Sequence, residues 1–150
     1  MAYDYIKVSD VQPQGTDDGT FESGDWRIRT INTKDTDTGG HCSIANNQIT
    51  LAAGTYEVSI KCPADCVNYH QARLYNITDN EETLLGTTEC SNSTYIYTTS
   101  SVIIGRFTIA AQKTFEIQHK CLSTCENVGL GARGNLTNEV YTVAEFRKVA

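Results

Sequence analysis

The sequence predicts an all-β fold, a sandwich or jelly roll of about ten antiparallel strands. Short runs of alternating apolar and polar residues recur along the chain, and no window keeps the apolar spacing of an amphipathic helix. Turn-forming Thr, Ser, Asn and Gly separate these runs, whereas proline occurs only twice. Because no domain boundary or internal repeat interrupts the 150 residues, we expect one domain over residues 1–150. Residues 1–14 are expected to form an N-terminal arm or a first strand.

The first clearly patterned segment after this arm is residues 26–31. In a strand, Trp26 and Ile28 would lie on one face, and Arg27 and Arg29 would lie on the other. A loop rich in Gly and Asp precedes the segment. We therefore predict a strand that follows an exposed loop.

The middle of the chain alternates polar loops with strand-like runs. Residues 35–40 form a polar loop, and residues 49–51 then lead through an Ala-Gly turn into the period-two run 56–62, which predicts a hairpin. Residues 71–75 and 83–87, separated by Thr-Asp-Asn, predict a second hairpin.

The last part of the chain predicts three more strands. Residues 103–109 and 115–121 alternate on either side of a short turn and are expected to pair with each other. The final run, from Val140 to Val149, carries apolar residues on both faces. A strand of this kind needs a cover on each side, one from its own core and one from another surface.

Charge and hydropathy exclude two classes of partner. A formal net charge of −6 with scattered basic residues would repel nucleic acid and anionic lipid. No stretch approaches the length of an apolar membrane span, and Met1–Tyr5 lacks the basic and apolar regions of a signal peptide. We therefore predict neither a nucleic-acid partner nor a membrane partner.

The motifs of catalysis and cofactor binding are also missing. Residues 129–134 match GxGxxG, but no helical pattern follows them to offer a dipole to a phosphate. His41, His70 and His119 match no metal or triad spacing, and the alternation places His70 and His119 among interior or interface residues. We therefore predict a non-enzyme without a cofactor.

The six cysteines leave three alternatives open. Residues 62–66 and 121–125 are both CxxxC pairs, which could form disulfides within or between their loops or provide a four-thiolate metal site. Alternatively, the thiols could stay free and pack as small apolar groups. The possible disulfide residues are Cys42, Cys62, Cys66, Cys90, Cys121 and Cys125.

Four aspartates form a candidate calcium site. Asp17, Asp18, Asp35 and Asp37 fall in predicted loops, and carboxylate oxygens are the ligands that calcium prefers. Solvated loop carboxylates are the alternative.

Three segments resemble one known family in the expected order. Residues 48–58 resemble a strand-turn-strand of the complement C1q and tumour necrosis factor superfamily, with Ala53 at the usual proline. Residues 70–76 and 105–119 are similar to segments of C1q-like domains in bacteriophage and bacterial proteins. The similarity spans roughly residues 15–150 and implies a ten-stranded jelly roll.

The resemblance also implies a threefold trimer. A neighbouring subunit would supply the second cover that the last strand requires. The residues expected near that interface are Arg73, Tyr75, Tyr141 and Phe146. Packing within one subunit is the alternative for all four.

The resemblance implies a role on a virion surface. No collagen repeat or heptad stalk precedes the first strand, so we expect a stand-alone trimeric decoration, or cement, protein that binds the major capsid protein or another virion protein. The alternative is a receptor-binding fibre knob or a bacterial surface adhesin, outside the cell or on its surface. It would recognise a host glycan or protein through residues 35–41 and 90–101. An enzyme is the third and most distant hypothesis.

Overall fold

The computed structural model describes residues 2–94 and 97–150, which form eleven strands in two facing antiparallel sheets. None of the described residues lies in a helix long and apolar enough to cross a membrane. The strands are β1 (Asp4–Gln12), β2 (Arg27–Ile28), β3 (Thr33–Asp37), β4 (Cys42–Ala45), β5 (Gln48–Leu51), β6 (Gly54–Asp65), β7 (Asn68–Asn76), β8 (Glu81–Ser91), β9 (Thr98–Ile109), β10 (Lys113–Cys121) and β11 (Glu139–Lys148).

The two sheets have a jelly-roll topology. The first sheet has the strand order β3-β1-β11-β6-β9, and the second has the order β4-β5-β10-β7-β8, with β2 paired to β10. The chain repeatedly crosses from one sheet to the other, as a jelly roll requires. The predicted all-β jelly roll is confirmed, and residues 4–12 form a first strand within it.

Two predicted hairpins are wrong. β5 pairs with β4 and β10, whereas β6 pairs with β9 and β11 in the opposite sheet, so the chain crosses the sandwich between Leu51 and Gly54. β9 and β10 likewise lie in different sheets. Alternation buries one face of a strand in either arrangement, so it does not distinguish a hairpin from a crossover. The hairpin between β7 and β8 is confirmed, with Arg73 opposite Leu85.

The space between the sheets holds the main apolar core. Ile6, Ile60, Leu74, Ile117 and Phe146 are among its fully buried side chains, and burying each stabilises the fold by about 1.5–3 kcal/mol. A second, smaller cluster lies at the end of the sandwich where β6 and β10 finish. Its members are Phe21, Ala64, Val67, Cys121 and Cys125.

The segment before β3 departs from its predicted pattern. Only Arg27–Ile28 form strand pairs, and Ile28, opposite Gln118 of β10, is 49% exposed. Arg29 faces inward instead and is fully buried. A charged side chain can be buried only when its hydrogen-bond donors find acceptors in the interior. The acceptors that surround Arg29 are described with the candidate site below.

Candidate functional site

An arginine held between two aromatic rings lies on the outer face of the second sheet. The Arg73 guanidinium carbon lies 3.9 Å from the ring centroid of Trp26 and 4.4 Å from that of Tyr75. Its Nε donates to Gln118 Oε1 at 2.9 Å, and its Nη1 lies 3.6 Å from Glu82 Oε1. Cation–π contacts and a directed hydrogen bond together fix the Trp26 ring on the sheet.

A cleft of about 270 Å³ opens beside this stack. Its walls contain exposed apolar groups, since Tyr69 is 60% and Leu122 is 65% exposed. The cleft is lined by Trp26, Tyr69, His70, Gln71, Thr88, Lys120, Cys121 and Leu122. These residues come from β7, β8, β10, the position directly after β10 and the segment before β2, so the cleft depends on the folded second sheet.

Three polar side chains line this cleft. Gln71 Nε2 donates to Gly86 O at 2.9 Å, which orients the amide and leaves Oε1 as an acceptor. The Lys120 ammonium lies 5.7 Å from the Trp26 ring centroid and has three donors. Thr88 adds a hydroxyl that can donate or accept. Donors and acceptors therefore meet at one aromatic-walled cleft.

A chain of buried hydrogen bonds runs behind the cleft wall. His70 Nδ1 lies 2.8 Å from His119 Nε2, and His119 Nδ1 lies 3.4 Å from Arg29 Nη1. Because a guanidinium only donates, His119 accepts at Nδ1 and donates from Nε2 to His70. His70 then donates from Nε2 to Thr99 Oγ1 at 2.8 Å. Each of the two histidines therefore accepts at Nδ1 and carries its proton on Nε2.

Both imidazoles of this chain are neutral near pH 7. Burial lowers the pKa of His70 to about 4. Burial also lowers the pKa of His119 well below its ordinary value, and the positive charge of Arg29 adds to the effect. His70 therefore forms an uncharged part of the cleft wall.

Arg29 anchors this chain at the far end. Its Nε donates to Thr142 Oγ1 at 2.9 Å, and Nη1 and Nη2 donate to the carbonyls of Pro63 and Leu130 at 2.9 and 2.7 Å. Its Nη2 also lies 3.3 Å from Oδ2 of the Asp18 carboxyl group, and the two form an ion pair when that carboxyl is ionised. These partners satisfy a guanidinium that solvent does not reach.

A second carboxyl group lies beside this ion pair. Burial, followed by a hydrogen bond with Asp10, raises the pKa of Asp18 to about 8, while the Arg29 charge acts in the opposite direction. Asp10 Oδ2 is buried and has no donor from the described residues. A protonated Asp18 can donate a hydrogen bond to the Asp10 side chain, which is the second cause of its raised pKa.

The structure separates the four residues predicted near a trimer interface. Arg73 and Tyr75 lie in β7 of the second sheet, whereas Tyr141 and Phe146 lie in β11 of the first. Phe146 belongs to the core with no exposed surface, so its placement at an interface is wrong. Tyr141 is 8% exposed, because it donates to the Thr16 carbonyl and its own loops cover its ring.

The four candidate calcium ligands do not converge. Asp17 binds Arg133, and Asp18 binds Arg29. Asp35 and Asp37 lie in strand β3, not in the predicted loop. Asp35 accepts from Ser9, and Asp37 accepts from the amides of His41 and Cys42. Within residues 2–94 and 97–150, no three His, Cys, Asp or Glu side chains form a group that could hold a metal ion.

The cysteines divide into one bonded pair and four thiols. A disulfide joins Cys66 to Cys125, with Cα atoms 5.7 Å apart, and links the turn after β6 to the loop after β10. Cys42, Cys62 and Cys121 are buried thiols, and Cys90 is exposed. Because the disulfide uses one cysteine of each CxxxC pair, this arrangement leaves no four-thiolate site.

Sequence reasoning missed Arg29 and the cleft. A charged residue in an alternating run is normally assigned to the solvent face, and nothing local signals the carbonyls that Arg29 reaches. The cleft residues are far apart in sequence, from Trp26 to Leu122. The predicted recognition segment 90–101 lies partly outside the described residues, at Tyr95 and Ile96. The assignment of His70 and His119 to hydrogen-bonded interior positions is confirmed.

Comparison with known proteins identifies the fold. No protein-family model and no curated protein sequence matches the chain. A crystal structure of murine APRIL superposes with a TM-score of 0.64 at 9% identity, covering 99% of this chain and 100% of that one. The globular domain of zebrafish complement 1qA gives 0.58 at 12% identity, with 99% and 98% covered.

PRD1 vertex protein P5 is a third structural neighbour. It superposes with a TM-score of 0.52 at 12% identity, covering 98% of this chain and 97% of that one. At such low identities these likenesses bear on architecture alone. The chain therefore has the jelly-roll fold that the complement C1q and tumour necrosis factor proteins share.

Proposed function

We propose that this chain is a non-enzymatic structural protein of a virion surface, which assembles as a trimer and decorates a bacteriophage capsid. The likeness in fold to PRD1 vertex protein P5, over nearly the whole of both chains, supports a place on a virion. The observation that carries the proposal is an apolar stripe on the outer face of the first sheet, where Ile104 is exposed and two half-buried valines flank Lys61. Major capsid protein or another virion protein is the expected support.

The stripe is defined by Val102, Ile104 and Val143. Val102 and Val143 both lie opposite Lys61 of β6, and Ile104 lies opposite Ser59 on the same face. Ile104 is 72% exposed. Apolar residues that cluster on an outer sheet face favour a protein contact, and a copy of the same chain supplies it in a closed symmetric assembly.

This stripe replaces the interface predicted from the sequence. Tyr141 and Phe146 are covered within one chain, and Arg73 is engaged by Trp26, Tyr75 and Gln118. Val102, Ile104 and Val143 instead project from the outer face of the first sheet. They are the apolar contacts that a trimer interface on this sheet would bury.

Light scattering with size-exclusion chromatography tests the assembly. The wild-type protein should have the mass of a trimer at micromolar concentration, and I104D should be a folded monomer because three symmetric charges would be buried. L136D is the matched control, since Leu136 is 88% exposed on a loop. A monomeric wild type, or an I104D variant that stays trimeric, would contradict the proposed interface.

Immunogold labelling of intact virions tests the location. Labelling over the capsid faces supports decoration, and labelling at tail or fibre tips supports the second candidate below. Absence of label from virions, together with its presence on uninfected bacterial cells, would contradict a role on the virion.

A receptor-binding knob is the second candidate function. The cleft beside Trp26 favours it, because a mainly apolar, aromatic recess with a few polar groups suits recognition more than attachment to a flat capsid surface. A trimer would present three such clefts, which increases avidity for a repeated receptor.

A further inference from the structure

We infer that the cleft beside Trp26 binds one sugar ring of a surface glycan. The inference deepens the second candidate function, on which it rests, by assigning it a site and a ligand class. The site lies on the outer face of the second sheet, away from the Asp35–His41 segment that the sequence suggested for recognition.

The walls of the cleft match the apolar face of a sugar. A pyranose ring presents several C–H groups on one face and hydroxyl groups around its edge. Tyr69 offers an exposed aromatic ring, and Trp26 and Leu122 extend the apolar surface. Aromatic rings bury much apolar area with little loss of side-chain freedom, which makes them effective platforms for such a ligand.

The polar groups of the cleft match the edge of the same ring. Hydroxyl groups both donate and accept, so their recognition requires both kinds of partner. Gln71 Oε1 is oriented as an acceptor by the bond from Nε2 to Gly86, and Lys120 Nζ is a donor. Thr88 can serve in either sense. Within the described part of the chain, the Thr88 and Tyr69 hydroxyls have no hydrogen-bond partner.

The cleft is organised before a ligand arrives. Arg73 fixes the Trp26 ring, Gly86 fixes the Gln71 amide, and the chain from Arg29 through His119 fixes His70. Each of these contacts is made within the protein. Binding therefore orders few additional side chains, which reduces the entropic cost of holding a small ligand.

Size and charge select a short, neutral ligand. A volume of about 270 Å³ lies near the lower limit of ligand sites and suits one ring with its neighbour outside. An extended peptide would need a groove that continues along a sheet edge. Lys120 is the one cation among the lining residues, and Glu82 balances Arg73, so the cleft lacks the clustered positive charge that a polyanion requires.

The single tryptophan of the chain reports directly on this cleft. A glycan array identifies the preferred terminal sugar, and the corresponding methyl glycoside is then titrated while Trp26 emission is recorded. We expect saturable quenching or a spectral shift at millimolar concentration, as is usual for one ring.

Paired tyrosine variants test the placement of the site. Y69A should weaken the titrated sugar at least about tenfold, because it removes the exposed aromatic wall. Y3A is the matched control and should bind like the wild type, since Tyr3 is an exposed tyrosine beside β1 of the other sheet. Equal circular dichroism spectra and melting temperatures would show that both variants are folded.

Two results would overturn the inference. One is a wild-type Trp26 spectrum that no array sugar changes up to solubility-limited concentration. The other is equal sugar affinity in Y69A and wild type. Trimer mass and virion labelling are measured independently of sugar binding. A protein that labels fibre tips but binds no sugar would keep the proposed receptor-binding function, and only the assignment of a glycan as its ligand would be rejected.

Discussion

The two outer faces of the sandwich differ in how their exposed apolar groups are supported. On the first sheet, Ile104 and its neighbours form a stripe of aliphatic side chains. On the second sheet, Trp26 and Tyr69 flank a recess in which Arg73 holds the Trp26 ring and buried hydrogen bonds hold His70. The first arrangement suits contact with another protein surface, and the second suits a small polar ligand.

The difference extends into the interior. Behind the stripe, Ile60, Ile103 and Ala144 belong to the apolar core. Behind the cleft, the interior holds Arg29, His119 and His70 in one chain of hydrogen bonds. An apolar core tolerates small changes in volume, whereas a buried polar chain fails when one member is removed. Changes to Arg29 should therefore affect the cleft far more than the stripe.

The largest expected effect follows from removing Arg29. R29M leaves Asp18, Thr142 and several buried carbonyls without their donor, so the free energy of unfolding should fall by about 3–5 kcal/mol. Urea unfolding followed by circular dichroism measures this loss. R27M is the matched control and should cost less than about 1 kcal/mol, because Arg27 is only partly buried and bonds two loop carbonyls. A similar loss in both variants would show that the polar chain does not support the cleft.

The next effect comes from the disulfide beside the cleft end of the sandwich. Replacing Cys66 with Ser removes a cross-link that closes a loop of 59 residues in the unfolded chain. We expect a loss of about 2–4 kcal/mol in unfolding free energy. C90S should change stability by less than about 0.5 kcal/mol, since Cys90 is an exposed thiol. Intact mass without reductant should report four free thiols; six would contradict the assignment.

Acid should weaken the interior behind the cleft. His70 has a pKa of about 4 in the fold and 6.5 in the unfolded chain, and the pKa of His119 is lowered further. The unfolded state therefore binds more protons below pH 6.5, and stability falls as the pH drops from 6.5 through 4. The His70 contribution is on the order of 3 kcal/mol, because each unit by which a pKa changes corresponds to about 1.4 kcal/mol. Urea midpoints measured at intervals of pH in D18N, which lacks the opposing titration of Asp18, test this prediction, and a flat profile would contradict it.

Asp18 should produce the opposite trend between about pH 4 and 8. Its folded pKa of about 8 exceeds the ordinary value of 3.8, so its stabilising proton is fully held at low pH and is lost as the pH rises through 8. D18N should remove the decline in stability between about pH 6.5 and 8, above the range in which His70 titrates, because its amide can donate to Asp10 at every pH. A decline that persists in D18N would place the titrating group elsewhere.

Strand content could be predicted from the sequence because alternation acts locally. The period-two runs indicated most strands, including β11, but they did not indicate which sheet each strand joins. Leu51 and Gly54 are close in the chain, yet β5 and β6 lie in opposite sheets. That choice depends on contacts between distant residues, such as Tyr56 with Lys148, which no local pattern contains.

The candidate site was less predictable than the fold for a related reason. Trp26, Tyr69 and Lys120 are each ordinary strand or loop residues, and only the pairing of β7 with β8 and β10 brings them together. Phe146 was wrongly placed at a subunit interface although its strand was predicted correctly. The apolar content of β11 was correct, but its inner face is filled by the chain's own core and not by a neighbouring subunit.

The central claim is that the two outer faces act independently, one for assembly and one for recognition. Trp26 emission of the I104D monomer, titrated with the sugar that the wild-type trimer binds, tests it most directly. A monovalent sugar gains nothing from avidity, so the account predicts equal affinity in monomer and trimer. Loss of the Trp26 response in a folded I104D monomer would contradict the account, because the cleft would then need a second subunit.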